Sequence, residues 1–198
     1  MPSVNAKASE IPLLSRGEVL FPGTVTRIRL ADARQMGQLR TASGGCFGFS
    51  LFIPAKGEHP AQHMRLGTEA VIEDYNQDEA GGLQLKLRGK RRFLIRQTRC
   101  LHDGQLVVRP EWLAEEEPRQ LPVDYATMAQ VVARYMEKVQ PDYPQYKPLD
   151  CEDASFVGFR LAELLPMELE EKQMLLELTD PILRLRMLST ILPRFQPA

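Results

Sequence analysis

Cysteine is scarce and scattered. Cys46, Cys100 and Cys151 are the only ones in 198 residues, with no C-x-x-C among them. That usage excludes a disulfide framework and a zinc knuckle, and it fits a reducing compartment. Long apolar runs are also missing. Nothing approaches the roughly 18 apolar residues that span a bilayer, and the polar stretch Met1–Glu10 lacks the apolar centre of a secretory signal. The first ten residues are expected to be disordered and the chain to be cytosolic, with no membrane partner. Charge of one sign is nearly balanced: the formal net charge is −1, which argues against a general polyanion binder but leaves local patches free to act.

Catalytic motifs are absent too. There is no G-x-x-x-x-G-K-[ST], so the usual phosphate cradle is missing. Ser43-Gly44-Gly45-Cys46-Phe47-Gly48 is rich in glycine, but it holds no lysine and runs into a strand. His59 and His63 are spaced as in H-E-x-x-H, yet His59-Pro60-Ala61-Gln62-His63 has no general base and places a proline against the helix. Both are expected to be loop residues. His102 sits in a turn without an evident partner. Cys100 would need a base beside it to act as a nucleophile, and is expected to be a buried or half-buried strand thiol. No catalytic set, metal site or cofactor is anticipated.

What the chain does contain is ordinary globular material, 43% apolar and 26% charged, whose periodicity changes near Pro118. Before it the pattern is that of strands. Thr24, Thr26, Ile28 and Leu30 alternate with Val25, Arg27 and Arg29; Phe47–Ile53 is a short buried run ended by Pro54; Ala70–Tyr75 and Leu83–Leu87 flank the polar turn Asn76–Gly82. Phe93–Ile95 and Leu106–Val108 form a second hairpin about His102-Asp103-Gly104. One short helix is expected over Ala33–Ala42. After Pro118 the spacing becomes helical: Asp124–Val139 with Asp124 as cap, Cys151–Leu164, Glu168–Leu178, and Pro181–Leu192 with Asp180 at the cap and Pro181 at the first helical position. Pro141, Pro144 and Pro148 hold a stiff loop that carries Tyr143 and Tyr146. No β-α-β alternation is present, so a parallel nucleotide-binding sheet is disfavoured.

The strongest electrostatic feature lies between Lys86 and Arg99. Lys86, Arg88, Lys90, Arg91, Arg92, Arg96 and Arg99 occur there without one acid. On paired strands they form either a stripe for phosphates and acidic partners or a solvated outer face that blocks edge-to-edge association, and the second is favoured.

Three groups of residues resemble the N-terminal, substrate-recognition domain of the Lon protease family. The first is Ile11-Pro12-Leu13-Leu14 with Val19-Leu20-Phe21-Pro22-Gly23. The second is Leu66-Gly67-Thr68-Glu69-Ala70-Val71-Ile72 with Leu87-Arg88-Gly89-Lys90-Arg91-Arg92-Phe93. The third is Leu164-Leu165-Pro166 with Glu170-Glu171-Lys172-Gln173 and Thr179-Asp180-Pro181-Ile182-Leu183-Arg184-Leu185. The resemblance implies an α+β fold: a PUA-like, antiparallel, β-barrel-like part over residues 10–117 with one short helix, then a helical bundle over 118–198, together one domain. It also implies a stand-alone, non-catalytic module, with neither the ATPase nor the peptidase, that binds unfolded or peptide-like protein segments. Leu20, Phe21, Pro22, Phe49, Phe52, Tyr143 and Tyr146 are the candidate peptide contacts. The alternative is RNA binding through the Lys86–Arg99 stripe.

Overall fold

The computed structural model describes residues 10–30, 46–77 and 82–195. The helix expected over Ala33–Ala42, the glycines Gly44 and Gly45, nearly all of the first ten residues and most of the Asn76–Gly82 turn lie outside them. The chain divides into two compact units, one ending at Ala114 and the other beginning at Glu115.

The first unit is a six-stranded sheet in the order β2-β5-β4-β3-β1-β6, closed into a barrel by a further β5–β6 pairing. The strands are β1 (Ile11–Arg16), β2 (Val25–Leu30), β3 (Cys46–Ile53), β4 (Gln62–Gln77), β5 (Leu83–Cys100) and β6 (Leu106–Trp112). The alternation expected in β2 is present: Ile28 and Leu30 are buried while Arg27 and Arg29 face water. Leu83–Leu87 and Phe93–Ile95, separate segments in the sequence pattern, are two halves of the single strand β5. Its first half pairs with β2 and β4, its second half with β6. One long strand serving two neighbours in succession lets a small sheet curl onto itself. One pairing departs from an all-antiparallel barrel. β1 runs parallel to β3, because β2 lies at the far end of the strand order and the chain returns from it to lay β3 beside β1 in the same sense.

Phe93, fully buried with Ile11 and Val108, fills one end of the barrel. Two glycines make room for it. A Cβ on Gly48 would lie 2.7 Å from the Phe93 ring, and one on Gly67 would sit 3.1 Å from that ring and overlap the Phe49 carbonyl oxygen. Leu20, Ile28, Leu30, Phe47, Phe49, Leu85 and Leu87 form a second cluster. Fully burying side chains of this kind contributes about 1.5–3 kcal/mol each.

The second unit has four α-helices among the described residues: α1 (Ala126–Val139), α2 (Ala154–Leu164), α3 (Leu169–Glu177) and α4 (Pro181–Ile191). The start of α4 is as expected, with Asp180 Oδ1 accepting from the Ile182 amide at 2.9 Å. Two starts differ. Asp124 does not cap α1; a 3-10 turn over Val123–Tyr125 precedes the helix and uses the Tyr125 amide on the Pro122 carbonyl, 3.0 Å away. Cys151 lies in a 3-10 segment, Pro148–Glu152, and α2 begins after Asp153, whose carboxylate accepts from the Phe156 amide at 2.7 Å. Asp153 is extended, so the helix cannot run back through it to Cys151. No helix of the described residues is long and apolar enough to cross a membrane.

Candidate functional site

Motif residues from three segments of the first unit meet at one structural joint. The turn Leu20–Gly23 uses the positive φ of Gly23, 75°, a conformation that costs glycine nothing. It lies directly on β5. The Gly23 amide donates to the Gly89 carbonyl and the Gly89 amide to the Thr24 carbonyl, both at 2.9 Å. Thr68 Oγ1 donates to the Leu20 carbonyl at 2.6 Å, and Arg88 Nη1 to the Gly23 carbonyl at 3.2 Å. The Phe21 carbonyl presses so close that a Cβ on Gly89 would overlap it. Leu20 and Phe21 are buried at 2% and 1% exposure, and Phe49 at 1%. These three candidate contacts are therefore core residues, and their apolar character serves packing. Pro22 is half-buried.

The basic stretch is largely neutralised by acids on neighbouring strands. Arg88 is buried, forms a two-pronged ion pair with Glu73, and shares that carboxylate with Lys86, 3.7 Å away. Arg91 pairs with Glu69 at 3.0 Å and lies 3.8 Å over the Trp112 ring. Arg96 pairs with Glu111 and Arg99 with Glu10. Arg92 is 5% exposed, so it cannot belong to a surface stripe. Lys90 faces solvent. A continuous phosphate-binding track needs cations that are exposed and unspent; here the acids from β4 and β6, invisible in a window confined to β5, take up much of the charge.

Among the described residues of this unit, a cleft of about 410 Å³ opens where β4 and β5 part. Their registered pairing ends at Leu66–Leu94, though both strands continue. Beyond that pair, β4 keeps β3 on one side (Phe52 opposite His63, Ile53 opposite Gln62) and β5 keeps β6. His63, Met64 and Arg65 line one wall, Ile95, Arg96, Gln97 and Thr98 the other, with Leu13, Ser50 and Leu106 between. A register shift between Ser50 and Phe52 bends β3 at the same place, as bulges commonly do at barrel rims. Phe52 is half-buried and packs on His63 with ring centroids 4.5 Å apart and the rings tilted by 37°, so it borders the cleft. His63 is thus a strand residue, not a loop residue. Cys100, expected to be covered, is exposed at the end of β5.

In the second unit the two tyrosines of the proline loop are occupied. Tyr143 is buried, accepts from Arg160 at 3.0 Å and donates to Glu163 at 2.9 Å. Tyr146 stacks on Phe156 and lies 3.5 Å from the Cys151 thiol. Burial, with that hydrogen bond second, pushes the Tyr146 phenol well above the usual tyrosine range. Arg184 is fully buried. It pairs with Glu116, donates to the carbonyls of Leu175 (3.0 Å) and Leu178, and lies 3.8 Å over the Phe159 ring. Among the described residues no group of three His, Cys, Asp or Glu could hold a metal ion.

A family model described as the substrate-binding domain of the ATP-dependent protease La (LON) matches residues 10–194. The chain belongs to that family. Among solved structures it is similar to a Lon N-terminal domain protein from Xanthomonas campestris, with 29% identity, a TM-score of 0.76, and 92% of this chain and 98% of that one covered. It also resembles the N-terminal domain of the Mycobacterium avium complex Lon protease, at 19% identity and a TM-score of 0.61, covering 91% and 96% of the two chains; that likeness shows the fold. No curated protein matches by sequence. In this Lon domain the motif positions carry the fold. Gly89, Thr68 and Gly23 build the joint, and Arg184 of the Thr179–Leu185 motif anchors the helices. Of the residues that line its cleft, Leu13, His63 and Arg96 stood out in the sequence for other reasons, whereas Met64, Arg65, Gln97 and Thr98 did not. No sequence signal marked them, because the cleft arises from two strands that outrun their shared register.

Proposed function

We propose that this Lon domain is a recognition module, without chemistry of its own, that holds extended segments of unfolded client proteins by adding them as a strand between β4 and β5. The observation that carries this reading is the early end of the β4–β5 ladder at Leu66–Leu94. Past it, each strand keeps a neighbour on its other side. An added peptide can supply the missing partner for both edges through main-chain hydrogen bonds, which demand no particular sequence. Met64, Ile95, Leu106 and Leu13 offer apolar surface for alternate side chains of such a segment. Phe52, beside His63, is the sequence candidate best situated to touch it. The sparse cysteines support a cytosolic client pool.

The test is amide mapping by NMR with an isotope-labelled domain and an extended, mostly apolar peptide. Shifts should concentrate at Gln62–Leu66 and Leu94–Thr98. Binding that shifts only the helical unit, or no binding to any of several unfolded peptides, would sink the reading.

A further inference from the structure

Resting on that strand-addition reading, we propose that the cleft selects segments that carry acidic side chains among apolar ones. The residues lining it include Arg65, Arg96 and His63, and not one carboxylate. Elsewhere along β5 four of the cations have an acidic partner in the fold: Lys86 and Arg88 share Glu73, Arg91 has Glu69 and Arg99 has Glu10. At the cleft the balance is left open. Arg65 is exposed, and no described carboxylate pairs with it. Arg96 has Glu111, but that pair lies in water, with the two side chains 54% and 50% exposed, so its guanidinium retains donors for a second carboxylate. A guanidinium offers a planar fork that matches a carboxylate in two-pronged fashion.

The two cations come from opposite walls, Arg65 from β4 and Arg96 from β5. An added strand lying between them sends successive side chains to opposite faces. The apolar lining, Leu13, Met64, Ile95 and Leu106, can meet the apolar side chains of such a segment, and the two guanidiniums its acidic ones. Lysine in place of the acidic side chains meets two arginines and no acid within the cleft. The main-chain contacts give tolerance, and the rim charges add a preference.

Three fluorescein-labelled peptides of about ten residues separate these contributions. They share alternating apolar positions and carry Glu, Gln or Lys at the others. In fluorescence anisotropy at low ionic strength the Glu peptide is expected to bind about five- to tenfold more tightly than the Gln peptide, and the Lys peptide most weakly; the gaps should narrow as salt rises. Arg65→Gln and Arg65→Gln/Arg96→Gln, with unchanged melting temperatures, should lose the Glu preference stepwise while keeping Gln-peptide affinity. Equal affinity for the Glu and Gln peptides overturns the selectivity but leaves strand addition standing. A Glu preference that survives the double substitution also overturns it, since the charge then acts elsewhere. If none of the three binds, both readings fall. Displacement of the Glu peptide by single-stranded oligouridine at lower concentration than by unlabelled Glu peptide overturns it in favour of phosphate recognition.

Discussion

Replacing Gly89 by alanine adds one methyl group, and the joint leaves it no room. The new Cβ would overlap the Phe21 carbonyl oxygen and come within 3.2 Å of the Leu20 side chain. The obstacle is backbone, so a rotamer change cannot relieve it; the turn Leu20–Gly23 must lift off β5. Lifting breaks or stretches the Gly23–Gly89 and Gly89–Thr24 bonds and those from Thr68 and Arg88. At about 1 kcal/mol for each intramolecular hydrogen bond, and with Leu20 and Phe21 partly unpacked, the cost is roughly 3–5 kcal/mol. For a unit near a hundred residues that lowers the melting temperature by about 10 °C or more. Calorimetry of Gly89→Ala beside Gly17→Ala checks it. Gly17 is exposed with nothing within 4 Å of an added Cβ, so its variant should melt with the wild type. A Gly89→Ala protein that also melts with the wild type would refute the claim that this motif glycine is required by the Phe21 contact.

Three further outcomes are expected. Arg184→Met removes the partner of Glu116 and the donor to two helix carbonyls, and should cost about 3–5 kcal/mol in chemical denaturation; adding Glu116→Gln should recover part of it, and strict additivity would contradict the pairing. Tyr146 has a folded-state pKa above its unfolded value near 10, so the stability its neutral phenol supplies is complete below about pH 10 and is lost as pH rises through the folded value. Near-ultraviolet titration should show Tyr146 among the tyrosines that ionise only as the fold opens, so that step should be smaller by one tyrosine in Tyr146→Phe; an unchanged step in that variant would count against it. Arg96→Ala with Arg99→Ala removes two exposed ion pairs and should leave the melting temperature within about 2 °C, whereas Arg92→Ala, at a buried site, should lower it clearly.

Periodicity made much of the fold legible. β2, β3 and the four helices lie close to where alternation and 3.6-residue spacing place them, and Asp180-Pro181 opens its helix in the expected order. The continuity of β5 was not legible, because Gly89 and the run Lys90-Arg91-Arg92 look like a break between strands. In the fold Gly89 is the point where a turn lands on an unbroken strand. Two helix starts fell elsewhere. Asp124 gave way to a 3-10 turn, and Asp153 displaced Cys151 as the boundary because its carboxylate reaches the Phe156 amide.

The candidate site was less legible than the fold, for a related reason. Apolar turn residues such as Leu20 and Phe21 carry the same one-dimensional signal whether they face a ligand or a core, and here they face the core. A run of cations likewise carries no record of its partners, since Glu69, Glu73 and Glu111 arrive from other strands. The cleft depends on a difference, that β4 and β5 each outrun their common register. No window of one strand contains that difference. Residues that hold the joint together are recognisable as motifs because a backbone contact permits only one side chain there. Residues of the cleft need only border an open edge, and many side chains can do that; a binding surface that relies on main-chain hydrogen bonds leaves little trace in its own sequence.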